Sequence, residues 1–451
     1  QNWPVAISAT KDGDLFYEIL GEKEDRALDL RYEKPDSRLN DLKMIKSHSM
    51  YIGTKLSKYY SSRKDMLMHG RAKGLRKIHE LMLLLDDGKA DPSKMGTAFQ
   101  RTLAPWPGKE RFAETKVFGH IGVYGDPAYE KYRKYFTLLL GMYPYIHETK
   151  GLYGWVDWGD VPMIKKGKGP DFKMMMGGGL GWSNGEQTVA AYFRHYIAGG
   201  GRKFLDLGRS MVHHTLGIDT DHPGGETLKK FFGKDSIIGC YHRHNQVHWR
   251  HNEAGSTRQG GHRGWHSYYW LTGDPEVGRL AMIAGVDSPS QSITMNIRPE
   301  TKEPRIYYDY QAAAVMMLAH CCWITTGNWR YARAHHALTR MWEIAGEKGR
   351  STSRGWKFFK IVDGKPTGFK LKSREGYIGG YWLRYGGDDL LVDWAALTGD
   401  PSAVNAILYQ GRLHKKKSDR AYINPEGLYN GYIMLTRDPR MKSFVESRLK
   451  T

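Results

Sequence analysis

The hydrophobic and polar positions of this chain fall into a repeated pattern. An apolar, helix-compatible run ends in a tight polar turn, an Asp precedes a Pro, and a second helix-compatible run follows. The turn is read in "YGDPAYEKY" from 124, "LTGDPEVGRL" from 271, "LTGDPSAVNA" from 397 and "LTRDPRMKSF" from 435. In each, an Asp (Asp126, Asp274, Asp400, Asp438) is placed to accept from the orphan N–H groups of a new helix, and Pro fits its first turn at little cost. A preceding Gly, where present, lets the chain reverse sharply. Two looser versions, "IAGGGRKFLDLGRSM" from 197 and "ITTGNWRYARAHHAL" from 324, share the helix, Gly turn, helix form.

Helical hairpins repeated in this way, with long insertions between them, predict a mainly α fold. The architecture expected is an α/α toroid, either a full barrel of six hairpins or an incomplete one, with small β appendages. The toroid should cover 66–451, and residues 1–65 form an N-terminal strand-and-loop appendage that includes "DGDLFYEIL". A β-hairpin insertion is expected near 355–373, around "VDGKPTG". No apolar run approaches the roughly 18 residues of a membrane span.

Charge changes the picture next. The 451 residues carry a formal charge of +20, a field that favours polyanionic partners. Nucleic acid fits poorly: Lys and Arg are scattered along the chain, the one dense run is "HKKKSDR" from 414, and no zinc-finger, RNP or helix-turn-helix pattern is present. An acidic polysaccharide fits better. The three cysteines make no disulfide framework, and Cys321 and Cys322 stand within an apolar run suited to buried packing. The chain opens at "QNWPVAISAT", with neither an initiator Met nor a signal peptide. That opening points to a processed chain, secreted or periplasmic.

The chemistry lies in the insertions. "GLYGWVDWGD" (151–160) and "GGGLGWSNGEQTVAAYFRHY" (177–196) are rich in Gly and Trp. "MVHHTLGIDTDHP" (211–223) precedes "CYHRHNQVHWRHNEAGSTRQGGHRGWHSYYW" (240–270), which holds six of the nineteen histidines. Indole faces beside glycine-rich backbone suit sugar rings, so Trp155, Trp158, Trp182 and Trp265 are candidate substrate contacts. Asp160, Asn184, Glu186, His214, His251, Asn252, His262 and His266 stand beside them as polar contacts. Asp160 and Glu186 also suit the acid and base of a glycoside hydrolase, or a supporting role in orienting histidines.

Breaking a uronate polymer by β-elimination needs a cation or donor on the carboxylate, a base for the α-proton and an acid for the leaving oxygen. "YHRHNQVHWRHN" supplies His, Arg, Asn and Tyr, the residue types that do this without a metal. His244 and His248 are the candidate bases, Arg250 or Arg263 the carboxylate partner, and Tyr241, Tyr268 or Tyr269 the acid. No cofactor is required. A divalent metal held by Asp219, Asp221 and His222 is the competing use of this region, although HxxxH lacks the glutamate of HExxH.

The order "GLRKIHELML", "GWVDWGD", "GWSNGEQ", "HHTLGIDTDH", "HNQVHWRHN" and "GHRGWHSYYWLTGDP" resembles the exo-rhamnogalacturonan-lyase-like (YetA-like) proteins over roughly residues 70–285. The resemblance implies an α/α toroid and polysaccharide-lyase activity on an acidic, possibly sulfated, glycan. Three functions are therefore expected to compete: a lyase, a hydrolase on the same scaffold, and a non-catalytic carbohydrate-binding protein that keeps the toroid.

Overall fold

The computed structural model describes residues 6–18, most of 80–150, 188–218, 262–282, 312–347 and 387–407. It also describes five short strands between 164 and 367 and the single positions Gly159 and Thr220. These residues are mainly helical. The helices are α1 (Pro92–Gln100), α2 (Lys109–Thr115), α3 (Pro127–Lys150), α4 (Thr188–His195), α5 (Arg202–Gly217) and α6 (His262–Thr272). They continue with α7 (Pro275–Met282), α8 (Ala312–Thr326), α9 (Trp329–Glu347) and α10 (Gly387–Thr398), and residues 401–407 are helical again.

Three hairpin turns are built alike. Gly273, Gly327 and Gly399 have φ of 69°, 67° and 70°, and their N–H groups bond Tyr269 O, Trp323 O and Ala395 O. This is the left-handed C-terminal cap that Gly takes without a side-chain penalty. The hydroxyls of Thr272, Thr326 and Thr398 accept from the N–H of the residue two on, each at 3.2 Å. That residue caps the next helix. Asp274 Oδ1 accepts from Glu276 and Val277 N–H at 3.0 Å, Asn328 Oδ1 from Arg330 N–H at 3.0 Å, and Asp400 Oδ1 from Ser402 N–H at 2.9 Å.

α3 begins immediately after Asp126, and Asp438 lies outside the described residues. A further Asp-Pro turn, not singled out in the sequence, starts α1: Asp91 Oδ1 accepts from Ser93 and Lys94 N–H at 3.0 and 3.2 Å.

The hairpins associate through their first helices. On α4 and α6, Val189 meets Gly264 and Phe193 meets Tyr268, so these helices run parallel. α5 runs against both, since Gly208 packs on Phe193 and Trp265 Nε1 donates to Thr215 Oγ1 at 2.8 Å. α6 reaches α8 where His266 and Trp270 both bond Thr325 Oγ1, at 2.7 and 3.0 Å. α8 reaches α10 through Trp323 and Trp394, ring centroids 5.1 Å apart. α10 returns to α4 through Asp389 and Arg194 at 2.8 Å.

Two apolar clusters fill this arrangement. One joins α4, α5, α6 and α7 around Phe193, Leu205, Met211 and Trp265. The other joins α8, α9 and α10 around Met316, Leu338, Trp342 and Leu391. Trp270 touches both clusters. Each such side chain, fully buried, stabilises the fold by about 1.5–3 kcal/mol before conformational entropy is charged. Cys321 and Cys322 are buried free thiols of the second cluster, and burial pushes the Cys321 thiol up to about 12.

The strands are peripheral. β1 (Ala6–Ala9) pairs antiparallel with β2 (Leu15–Glu18), and β3 (Ile164–Lys165) with β4 (Lys173–Met174). β6 (Lys357–Val362) and β7 (Lys365–Thr367) form an antiparallel hairpin, and β5 (Arg305–Tyr308) pairs on its other side. Among the described residues no helix is long and apolar enough to cross a membrane.

Candidate active site

Described residues that border the insertions singled out in the sequence lie together at one end of the hairpins. The segment ending in Glu186 and Gln187 runs directly into the start of α4, and the His-rich stretch runs into the start of α6. These two starts touch, because Gly264 leaves room for Val189. The antiparallel α5 brings its last turn to the same end, where Thr215 Oγ1 accepts from Trp265 Nε1 at 2.8 Å. Thr220, within "DTDH", donates its hydroxyl to Thr215 O at 2.8 Å and so lies against the helix end. Gly159, inside "GWVDWGD", sits with φ of 91° against the Ser210 carbonyl and the His214 side chain, where a Cβ has no space. Four stretches far apart in sequence thus depart from one pole.

Within that pole most of the described histidines are interior, His213 being half-buried. His214, His262, Trp265 and His266 are all buried, and His262 lies edge-on to Trp265 with centroids 5.0 Å apart. Burial, then the neighbouring His262 and His320, pushes His266 down to about 3. Burial chiefly pushes His320 down to about 4, with the Asp393 carboxylate pulling the other way. An imidazole held neutral so firmly positions its neighbours but is a poor base at neutral pH. His266 is therefore unsuited to act as a base near pH 7.

Arg263, named above as a partner for a uronate carboxylate, is paired inside the protein. Its guanidinium bonds Asp393 and donates to Phe118 O at 3.2 Å. Asp389 and Asp393 also face Arg194, at 2.8 and 3.9 Å. Gly119 (φ 84°) lies where any side chain would strike Arg263 and Asp393. The carboxylates hold Arg263 toward α10, so its role in the structure is to bind α6 to α10. Tyr268 is likewise buried, against Phe193 and His213, and Tyr269 is half-buried with its ring against Gly278.

The remaining candidates lie outside the described residues. They are Tyr241, His244, His248, Arg250, His251 and Asn252 of the His-rich stretch, and Trp155, Trp158, Asp160, Trp182, Asn184 and Glu186 of the Trp-rich loops. Asp219, Asp221 and His222 are outside them too. Among the described residues no group of three His, Cys, Asp or Glu side chains has a metal-binding arrangement.

The sequence reading did not single out Arg194, Asp389 and Asp393, nor His320 and His335. Their signal was present: "DDLLVDWAAL" and "VMMLAHCCW" carry ionisable groups inside apolar helical runs, and buried ionisable groups require partners. At the opposite end of α4, Tyr124 Oη lies 2.7 Å from His195 Nδ1. Burial, then Arg133 and Arg194, pushes His195 down to about 4.

Compared with protein-family models and with curated proteins, the chain matches none.

Proposed function

We propose that this chain is a polysaccharide lyase-like protein that cleaves a uronate-containing polysaccharide by β-elimination, built on an α/α toroid. The toroid reading is supported by hairpins that pack first helix to first helix and by the return of α10 to α4 through Asp389 and Arg194. The observation that carries the function is that described residues bordering the Trp-rich and His-rich stretches, Gly159, Val189, Gly264 and Thr220, lie at one end of the hairpins. A charge of +20 supports an acidic polymer as the partner.

In this reading Arg250 pairs with the uronate carboxylate and stabilises the charge that develops when the α-carbon loses its proton. His244 or His248 takes that proton. The electron pair forms the carbon–carbon double bond, the glycosidic carbon–oxygen bond breaks, and Tyr241 returns a proton to the leaving oxygen. Arg263 and Asp393 act as a structural pair beneath the pole.

The test is incubation with a panel of acidic polysaccharides while following the ultraviolet absorbance of unsaturated uronate. A lyase produces that chromophore together with new chain ends. New reducing ends without the chromophore would replace the proposal with hydrolysis at Asp160 and Glu186, and no product would leave a binding protein. His244→Ala and His248→Ala, made singly, should lower the rate by roughly 10² or more in the one that is the base, at unchanged melting temperature.

A further inference from the structure

The hairpin turn at Gly327 departs from its two sisters at two positions. Pro275 and Pro401 occupy the first residue of the helix after the capped turn, and both are exposed. At the equivalent position of α9 stands Trp329, with Asn328 as the cap in place of Asp. Nothing in the packing asks for an indole there. Trp329 is 60% exposed and, from α4 onward, it is the one large exposed hydrophobic among the described residues.

Two arginines flank it. The guanidinium carbons of Arg330 and Arg333 each lie 5.9 Å from the centroid of the Trp329 ring. Neither takes part in an ion pair among the described residues, whereas Arg279 on α7 and Arg340 further along α9 are paired with Glu276 and Glu343. Cations held at an aromatic face gain from the ring quadrupole. A guanidinium still presents its fork of N–H donors to a carboxylate or sulfate. An indole face accepts the C–H face of a sugar ring, and the two guanidiniums reach the acid groups that such a ring carries.

We propose that Trp329, Arg330 and Arg333 form a surface binding site for an acidic glycan, separate from the pole where the chemistry is placed. The substrate class is that of the proposed function, but the site stands on its own geometry and on charge complementarity. It would hold a distant stretch of the same polymer and raise its effective concentration at the protein. Screening by salt should weaken it, because both arginines face solvent or its edge.

The experiment is affinity electrophoresis and calorimetry of the full chain with polygalacturonate, heparin, neutral dextran and single-stranded oligo-dT. Trp329→Ala, and separately Arg330→Ala with Arg333→Ala, should weaken binding of an acidic glycan about tenfold or more, equivalent to ~1.4 kcal/mol. Dextran should not bind, and melting temperatures should stay unchanged. Unchanged glycan affinity in both variants would overturn the site, as would wild-type protein that binds neither acidic glycan. A loss confined to oligo-dT would overturn it in favour of nucleic acid. Failure here is separable from failure of the lyase reading: binding lost in Trp329→Ala without any unsaturated product from wild type keeps this site and removes the lyase. Product formed at full affinity in Trp329→Ala does the reverse.

Discussion

Gly264 meets Val189 at the point where α6 and α4 begin, and the contact leaves no space for a methyl group on Gly264. Val189 is fully buried, so it has no free volume into which to retreat. Gly264→Ala should therefore lose about 1–3 kcal/mol through overpacking, although Ala is the better helix former. Urea unfolding checks this; a variant as stable as wild type would show that the two helix starts are not pressed together.

Removing Asp393 should be costlier. It is buried with Arg263, and truncation to Ala leaves that interior guanidinium only the more distant Asp389, at 4.0 Å, as a counter-charge. Such a break costs about 3–5 kcal/mol. The paired change Arg263→Met with Asp393→Leu should recover much of that stability, because neither charge is then left alone. If Asp393→Ala instead removes activity while the unfolding midpoint stays put, Arg263 belongs to the chemistry and its structural assignment is wrong.

The two matched caps should differ in strength. Asp274→Ala removes hydrogen bonds to two N–H groups of α7, a loss of about 1 kcal/mol. Asp400 does more: besides capping, its Oδ2 accepts from Trp394 Nε1 at 2.8 Å and lies 2.6 Å from His336 Nδ1. Burial pushes its carboxyl up, but the hydrogen bonds from His336, Trp394 and the Ser402 backbone hold it well below the usual carboxylate range. Asp400→Ala should cost about 1–3 kcal/mol beyond the lost cap, since it strands those donors. Equal melting shifts for the two variants would reject the added role.

Acid should unfold the protein early. His266, His320 and His335 are buried and neutral, pushed down to about 3, to about 4 and well below the ordinary value, with burial the first cause in each. The groups facing them are His262 across from His266, then Asp393, Arg263 and Arg194 around His320, and His336 and Asp400 near His335. Unfolded, each histidine takes up a proton below about pH 6.5. Below that value the unfolded state binds more protons than the fold, so stability is full above 6.5 and falls as pH drops toward 4. Three such groups give a slope on the order of 4 kcal/mol per pH unit once pH is well under 6.5. Urea midpoints measured from pH 7.5 to 4.5 should fall steeply; a flat profile would mean that these imidazoles are already charged or solvated in the fold.

Local signals in the sequence announced much of the helical scaffold. A Thr-Gly-Asp-Pro turn needs only its own residues: Gly for the left-handed φ, the Asp carboxylate for the new helix, Pro for its first turn. Those requirements are met within a few positions, so Asp274 and Asp400 were legible as caps before any fold was known. The mainly helical character followed from the same repeats. Asp91 uses the same chemistry, but in "GKADPSKM" neither an adjacent Gly nor a Leu-Thr precedes it to mark the turn.

What the residues of the His-rich stretch face was decided by tertiary structure. Composition placed Arg263, His262, Trp265 and His266 with their neighbours as a set of sugar contacts, because residue type says what a side chain can do and not which way it points. The helix that begins at His262 turns all four inward, where Asp393, 130 residues away in sequence, takes the guanidinium. A charge buried in an apolar interior needs a partner wherever the fold can supply one, and no local pattern specifies a partner at that separation. The sequence by itself determined which stretches hold reactive groups; the packing of α4, α5 and α6 determined that the described residues bordering these stretches lie together, and which side chains are used up in holding them there.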